Sequence, residues 1–304
     1  MISFFQNVID AVALGSIYAL VALGIGLIFG ILRLINFAHG DMITVGCYAL
    51  IVPSTDAAAQ LLIGSWTPLA AIAAIAIIVL LVALSTDALV FKHLRRASPT
   101  TLMIASFAVS YVTQNALLMA YGARAKGVDF WSGVNVQIAI GELRVPLLQL
   151  ITVAVTFALM MLLNLFLRYT RYGIQMRAAA EDFRMAQYIG VRGNIVIGLA
   201  FAISGMLAAT VSLLYVTQSG SLSITMGVPL VLFAFVAVVI GGMGNLLGSV
   251  VGGFLIGILL TMLQAYLPPD LRAFRDAFAF AFVILVLLVR PAGLIPARNT
   301  IERV

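Results

Sequence analysis

Charge is what this 304-residue sequence has least of: 9% of its residues are Asp, Glu, Lys or Arg, while 63% are hydrophobic. Soluble domains carry about 25% charged residues, and a soluble core cannot absorb such an apolar excess. The mean hydropathy of +1.16 says the same. Also missing is any Gly-x-x-x-x-Gly-Lys-Ser/Thr loop, so the chain offers no phosphate cradle of the kind that binds and hydrolyses ATP. It has no His-Glu-x-x-His, no cluster of Asp, Glu and His at ligand spacing, and no nucleophile beside a base. Neither a metal site, nor catalytic residues, nor an enzyme is expected. Cys47 is the only cysteine and lies in an apolar run, which excludes a disulfide framework and reads as packing. The first dozen residues hold Asp10 but no Lys or Arg, so no secretory cleavage pattern is read and the first helix is expected to be retained.

What the sequence does have is long charge-free runs. A helix crossing a ~30 Å hydrocarbon layer needs roughly 20 apolar residues. Such runs occupy 11–32, 57–86, 97–123 and 145–167, and no charge occurs from Gly193 to Pro269, room for three crossings. A last hydrophobic segment follows Arg275 and stops at Arg290. This predicts an all-α, polytopic membrane bundle forming one domain over 1–304. About eight to nine segments are expected, centred on 10–32, 38–53, 68–91, 100–121, 145–167, 195–217, 227–241, 246–266 and 274–290. The weak member is 38–53, which is short, holds Gly40 and Gly46, ends at Pro53 and is entered through Asn36-Phe37-Ala38-His39-Gly40-Asp41. It reads as a broken or re-entrant helix. Irregular backbone survives at membrane depth only where protein or a wet cavity satisfies it, so this turn is expected near a pathway.

Basic residues divide unevenly between the two sides of such a bundle. Arg33, Lys92, Arg95, Arg96, Arg168, Arg171, Arg177, Arg184, Arg192, Arg290, Arg298 and Arg303 fall on one, and Arg124, Lys126, Arg144, Arg272 and Arg275 on the other. By the positive-inside rule the first side is cytoplasmic, with the C-terminus inside and the N-terminus outside. If 38–53 fails to cross, the N-terminus moves inside and Arg33 outside. The sequence pI near 9.8 is thus an orientation signal; with no soluble basic patch, nucleic acid is not an expected partner. Acids are expected at span ends, Asp87 alone standing about one turn inside, either paired at the interface or functional. Ion-coupled carriers keep ionisable groups within the bundle, so this pattern disfavours one, and a secondary transporter of small polar solutes is the rival reading.

Three stretches hold the candidate functional residues. Tyr172–Val191 is too polar to span but has helical spacing, with Met176, Ala179, Phe183, Ala186 and Ile189/Gly190 on one face. It is either a helix lying in the headgroups or one that docks in a partner's groove, and pattern alone does not separate them. Gly244, Gly248 and Gly252 recur every four residues, with Gly253 and Gly257 one position over, the spacing of close helix packing in membranes. Asn36, His39, Gly40, Ser110 and Asn115 are candidate pathway or gating residues; Ser106 and Gln114 share the helical spacing of Ser110 and Asn115. These polar groups suit a neutral or zwitterionic substrate, and equally helix–helix hydrogen bonding.

Taken together, Ile35-Asn36-Phe37-Ala38-His39-Gly40-Asp41, Ala180-Glu181-Asp182-Phe183-Arg184-Met185-Ala186 followed by Ile189-Gly190-Val191, Gly241-Gly242-Met243-Gly244-Asn245 through Gly252-Gly253, and the closing Leu287–Leu294 resemble the LivH-type permeases of branched-chain amino-acid ABC importers, of the LivH/LivM permease family. The order and spacing agree over nearly the whole chain, and the Asn-Phe-Ala-His-Gly turn also looks like that of ribose-type ABC permeases. The resemblance implies the ABC importer permease fold in a bacterial plasma (inner) membrane. It implies a LivM-like second permease, two cytoplasmic ATP-binding subunits carrying the ATP and magnesium, and an extracytoplasmic solute-binding protein; no cofactor is expected on this chain. It assigns ATPase coupling to the segment 168–194, where Glu181, Asp182, Ala186 and Gly190 match directly. One departure stands out: family members usually show Gly-x-Lys-Ala-Phe ahead of the glycine cluster, and here Gly227 is followed by Val228-Pro229-Leu230. Branched-chain amino acids are the expected cargo, with amides, urea and small carboxylates as alternatives.

Overall fold

The computed structural model describes residues 2–295 apart from 57–58, 96, 132, 134–135 and 141–142. Arg96, Arg298 and Arg303, counted above on one side, lie outside the described residues. The chain runs α1 (Ile2–Leu32), α2 (His39–Tyr48), α3 (Pro68–Thr86), a π turn (Asp87–Phe91) leading into α4 (Lys92–Leu94), α5 (Pro99–Tyr121), α6 (Leu147–Tyr169), α7 (Arg171–Glu181), α8 (Phe183–Tyr188), α9 (Gly193–Ser219), α10 (Gly227–Gly241), α11 (Leu246–Tyr266) and α12 (Arg275–Val289). Among the described residues six helices are long and apolar enough to cross a membrane: α1, α3 with its extension to Leu94, α5, α6, α9 and α11. Two small antiparallel ribbons interrupt the expected all-α pattern. β1 (Lys126–Gly127) pairs with β4 (Ser221–Leu222), and β2 (Gln137–Ile140) with β3 (Leu143–Pro146). Buried Lys126 ties the first ribbon down, donating to the carbonyls of Ser54 (2.6 Å) and Asp56 (2.7 Å).

Two ends can be told apart without reference to a membrane. Arg33, Arg168 and Arg177 line one cavity together with Glu181 and Asn245, which defines an arginine end. At the opposite, hairpin end the Gln6 amide donates to the Arg144 carbonyl and the Gln149 amide to Asp10. Helix α1 therefore runs from the hairpin end to the arginine end. It is the central post: 83% of its most apolar window is buried, against 22% for α5 and for α6, whose outward apolar side chains suit lipid.

Helix α11 makes the core compact by offering glycine on two faces. Gly248 and Gly252 meet Gly241 and Ala237 of α10, and a Cβ at position 252 would lie 2.0 Å from the Ala237 carbonyl oxygen. Gly253 and Gly257 meet Ala19 and Gly15 of α1, where a Cβ would lie 2.4 and 2.2 Å from backbone atoms. One side chain more on either face separates the backbones. Gly244, expected on the first face, does not share it: the helix starts at Leu246, and Gly244 turns the chain between α10 and α11 with φ +89°.

Asp87 is paired, receiving both ends of its carboxylate's bonds from Arg95 at 3.1 and 3.0 Å. A second Arg95 nitrogen reaches Asn194 at the start of α9. The pair closes the arginine end of α3 onto α9, where a lone buried carboxylate would be costly.

Replacing Gly252 with leucine forces α10 and α11 apart, a misfit of about 1–3 kcal/mol or more. The detergent-solubilised protein is expected to melt about 2–10 °C lower. Gly198→Ala is the control, since nothing lies within 4 Å of a Cβ there; equal melting of both variants would refute the packing role.

Candidate functional site

The first constellation grows from an interruption. After α1 ends, Arg33 adopts φ +54° and residues 33–38 return toward the middle of the bundle without helix. The freed backbone is satisfied by side chains: the Asn36 amide oxygen accepts from the Ala38 N–H at 3.2 Å, and the Ser106 hydroxyl accepts from the Phe37 N–H at 3.3 Å. Helix α2 then begins beside Gly24 of α1 and Ser204 of α9, and ends where Tyr48 packs on Tyr121 at the hairpin end. It enters the bundle because its first turn is small: a Cβ on Gly40 would lie 2.4 Å from the Gly227 carbonyl oxygen.

His39 is wholly buried, its Nδ1 3.0 Å from the Ser204 hydroxyl. It is therefore no interfacial residue. Asn36, His39 and Gly40 hold the interruption in place and do not line the adjacent cavity. That cavity, of about 390 Å³, opens between the non-helical return, α5 and α10, with Phe37, Phe107, Ser110, Gln114, Val231 and Leu232 among its walls. Phe37 and Phe107 stack with ring centroids 4.2 Å apart. Of the candidate pathway residues only Ser110 borders it. Asn115 is turned elsewhere, donating to the Tyr111 carbonyl one turn back.

Asp41 overturns the expectation that the acids sit at span ends. Its residue is 2% exposed, and its carboxylate accepts from the Gln114 amide at 2.9 Å, while the same amide reaches the Ser110 hydroxyl at 3.0 Å. Hydropathy misplaced it because a charge next to a glycine and a short apolar run looks like a boundary. The non-helical return of 33–38 carries it inward. Val228, in the stretch that lacks the family's lysine, is also a cavity wall.

The second constellation lies at the arginine end. The segment expected as one helix over Tyr172–Val191 is two, broken at Asp182, whose carboxylate caps α8 by accepting from the Arg184 and Met185 amides at 2.9 Å each. Helix α8 closes with a Schellman turn: Val191 donates to Ala186, Gly190 to Gln187, and Gly190 takes φ +95°. The apolar face expected to serve a partner is largely spent within the chain, with Met176, Ala179 and Ala186 buried. Ala186 packs α8 against the rest of the chain. What α8 leaves outside is Met185, Tyr188 at 84% and Ile189 at 80% exposure, beside exposed Glu181 and Asp182.

A model of the branched-chain amino acid transport system permease component family matches residues 7–287. The chain belongs to that family. It is 33% identical to the high-affinity branched-chain amino acid transport system permease protein LivH of Salmonella typhimurium, over 99% of this chain and 98% of the relative. LivH of Escherichia coli is also 33% identical with the same coverage. The permease protein BraD of Pseudomonas aeruginosa is 31% identical over 99% and 98%. No solved structure matches. The LivH-type resemblance read from the motifs is thereby shown, and the polar interruption and the capped α7–α8 pair are features of a permease.

Removing the Asp182 cap by Asp182→Ala costs about 1 kcal/mol of α8 stability. Hydrogen exchange at the Arg184 and Met185 amides is expected to quicken about fivefold, and unchanged exchange would show the cap to be idle.

Proposed function

We propose that this chain is the membrane-spanning permease subunit of an ATP-binding-cassette importer for branched-chain amino acids, working in a bacterial plasma membrane. The observation that carries the reading is the nearly full-length likeness to LivH and BraD, proteins named for branched-chain amino acid transport. The chain forms one domain of nine membrane segments: the six long helices, the shorter α10 and α12, and residues 33–54, which cross as a non-helical stretch followed by α2. The arginine end faces the cytoplasm and the N-terminus the outside, as the positive-inside rule requires.

The partners follow from what the chain leaves uncovered. The sequence holds no nucleotide loop, so ATP and magnesium belong to two cytoplasmic ATP-binding subunits. Apolar Met185, Tyr188 and Ile189 stand exposed at the charged end, which suits burial against such a subunit, with Glu181, Asp182 and Gly190 framing the contact. On the cavity side, the polar Ser110 and Gln114 open between exposed Phe107, Tyr111 and Leu232. Polar groups at membrane depth face protein or a wet path and not lipid, so a second, LivM-like permease covers that side and the pathway runs between the two. An extracytoplasmic solute-binding protein delivers the cargo to the hairpin end.

The test is reconstitution. Vesicles holding both permeases and both ATP-binding subunits, given loaded binding protein, are expected to accumulate leucine, isoleucine or valine only with ATP; this chain alone should accumulate nothing. Concentrative uptake by the chain alone on an ion gradient would instead establish a secondary carrier, and a binding protein that selects amides, urea or small carboxylates would reassign the cargo. Gly190→Val, which strains the turn at φ +95°, should insert normally and lower ATP-driven uptake at least about tenfold. Normal uptake in that variant would remove Gly190 from the coupling contact.

A further inference from the structure

Resting on the reading of the chain as an amino-acid permease, we propose that Asp41 is the counter-ion for the α-ammonium group of the cargo, and that the cavity before it receives the cargo's aliphatic side chain. The Asp41 carboxylate, on α2, is buried against α5, and its side-chain donors are neutral: the Gln114 amide at 2.9 Å, with the Ser110 hydroxyl beside it. Among the described residues the ion pairs are Asp87–Arg95 and Arg275–Asp276, so Asp41 has no cation of its own. His39, two residues away, is turned to Ser204.

A carboxylate without a cation at membrane depth costs several kcal/mol. The first turn of α2 offsets part of that through its dipole. A charge kept at such expense is compensated fully only when a cation arrives. The cavity stops one side chain short of Asp41, because Gln114 belongs both to its wall and to the Asp41 hydrogen bond. In this conformation the amide fills the donor position on Oδ1. A rotation of the Gln114 side chain exchanges that bond for one from an ammonium, which brings three donors and can also reach Ser110. The remaining walls, Phe37, Phe107, Tyr111, Val228, Val231 and Leu232, are aliphatic or aromatic and fit an aliphatic or branched side chain. A zwitterionic aliphatic amino acid matches both halves of the site; an uncharged amide or a carboxylate matches one.

The experiment uses the assembled importer with both permeases, both ATP-binding subunits and binding protein loaded with leucine. Asp41→Asn is expected to lower leucine uptake at least about 100-fold, the order of a lost buried pair, while the complex still assembles and the binding protein still stimulates ATP hydrolysis. Asp41→Glu keeps the charge and should stay within about tenfold of wild type. A readout that needs no variant runs beside these: an apolar carbodiimide labels Asp41 in the wild-type complex, and leucine but not 4-methylpentanoate, which lacks the ammonium, should protect it. Near-normal uptake by Asp41→Asn, joint loss of uptake and assembly in both variants, or equal protection by 4-methylpentanoate would each overturn the assignment. A wild-type complex that accumulates no amino acid would overturn the importer reading itself, and the failing sample distinguishes the two.

Discussion

A peptide group inside a bilayer has no water to bond with, so every departure from helix must be answered by a side chain or another backbone. The return of residues 33–38 is the departure this structure is built around. Ser106 reaches down from α5 to the Phe37 amide, Asn36 turns its own side chain onto Ala38, and Ser204 fixes His39 from α9. Two helices, α5 and α9, are thereby committed to one short stretch of chain. Their cost is repaid by what the stretch delivers: a helix start, and with it Asp41, at a depth no continuous span would expose.

That arrangement needs a rigid post, and α1 with α11 provides it. Lipid gives helices no hydrophobic reason to associate, so attraction between them depends on close approach. With glycine on two faces, α11 lets both α1 and α10 come to backbone contact. Helices α5 and α6 lie outside that core, with most of their surface uncovered. The geometry therefore separates a fixed part, which holds α2 and α10, from a peripheral helix, α5, which carries Ser110 and Gln114 on the other side of the cavity.

Much of this was legible in the sequence where the signal is additive. Long charge-free runs announce spans whatever their neighbours do, and the motifs around His39, Glu181 and Gly244 name the family in combination. The small-residue spacing of Gly248 and Gly252 likewise gives a face before any partner is known. What the sequence hid depends on depth and partner. Asp41 reads as a boundary charge because hydropathy counts residues along the chain, not height through the bundle. Gln114 looks no different from Asn115, one position on, yet one turns to Asp41 and the other to its own helix. Asp182 lies in a pattern that suits one continuous helix, and only its backbone, at φ −144°, reveals that it ends one helix and caps the next.

The break at Asp182 bears on how movement at the arginine end can reach the cavity. Were Tyr172–Val191 a single helix with its apolar face in a partner, the permease would be held by a lever with no footing in its own bundle. Instead Gly173 sits against the last turn of α6, where a Cβ would lie 2.2 Å from the Phe166 carbonyl oxygen, and Met176 and Ala179 are buried against the same end. Helix α7 thus belongs to the bundle and packs on α1, α6 and α9, while α8, held by a capped corner, presents Tyr188 and Ile189 outward. Helix α7 links α8 to α1, whose end is where the non-helical return toward His39 and Asp41 begins, and under the proposed coupling a displacement of α8 would pass along this route. The exposed face of α8 and the cavity are joined by a short covalent and packed route, and packed elements with backbone-limited contacts shift as bodies, not by gradual deformation.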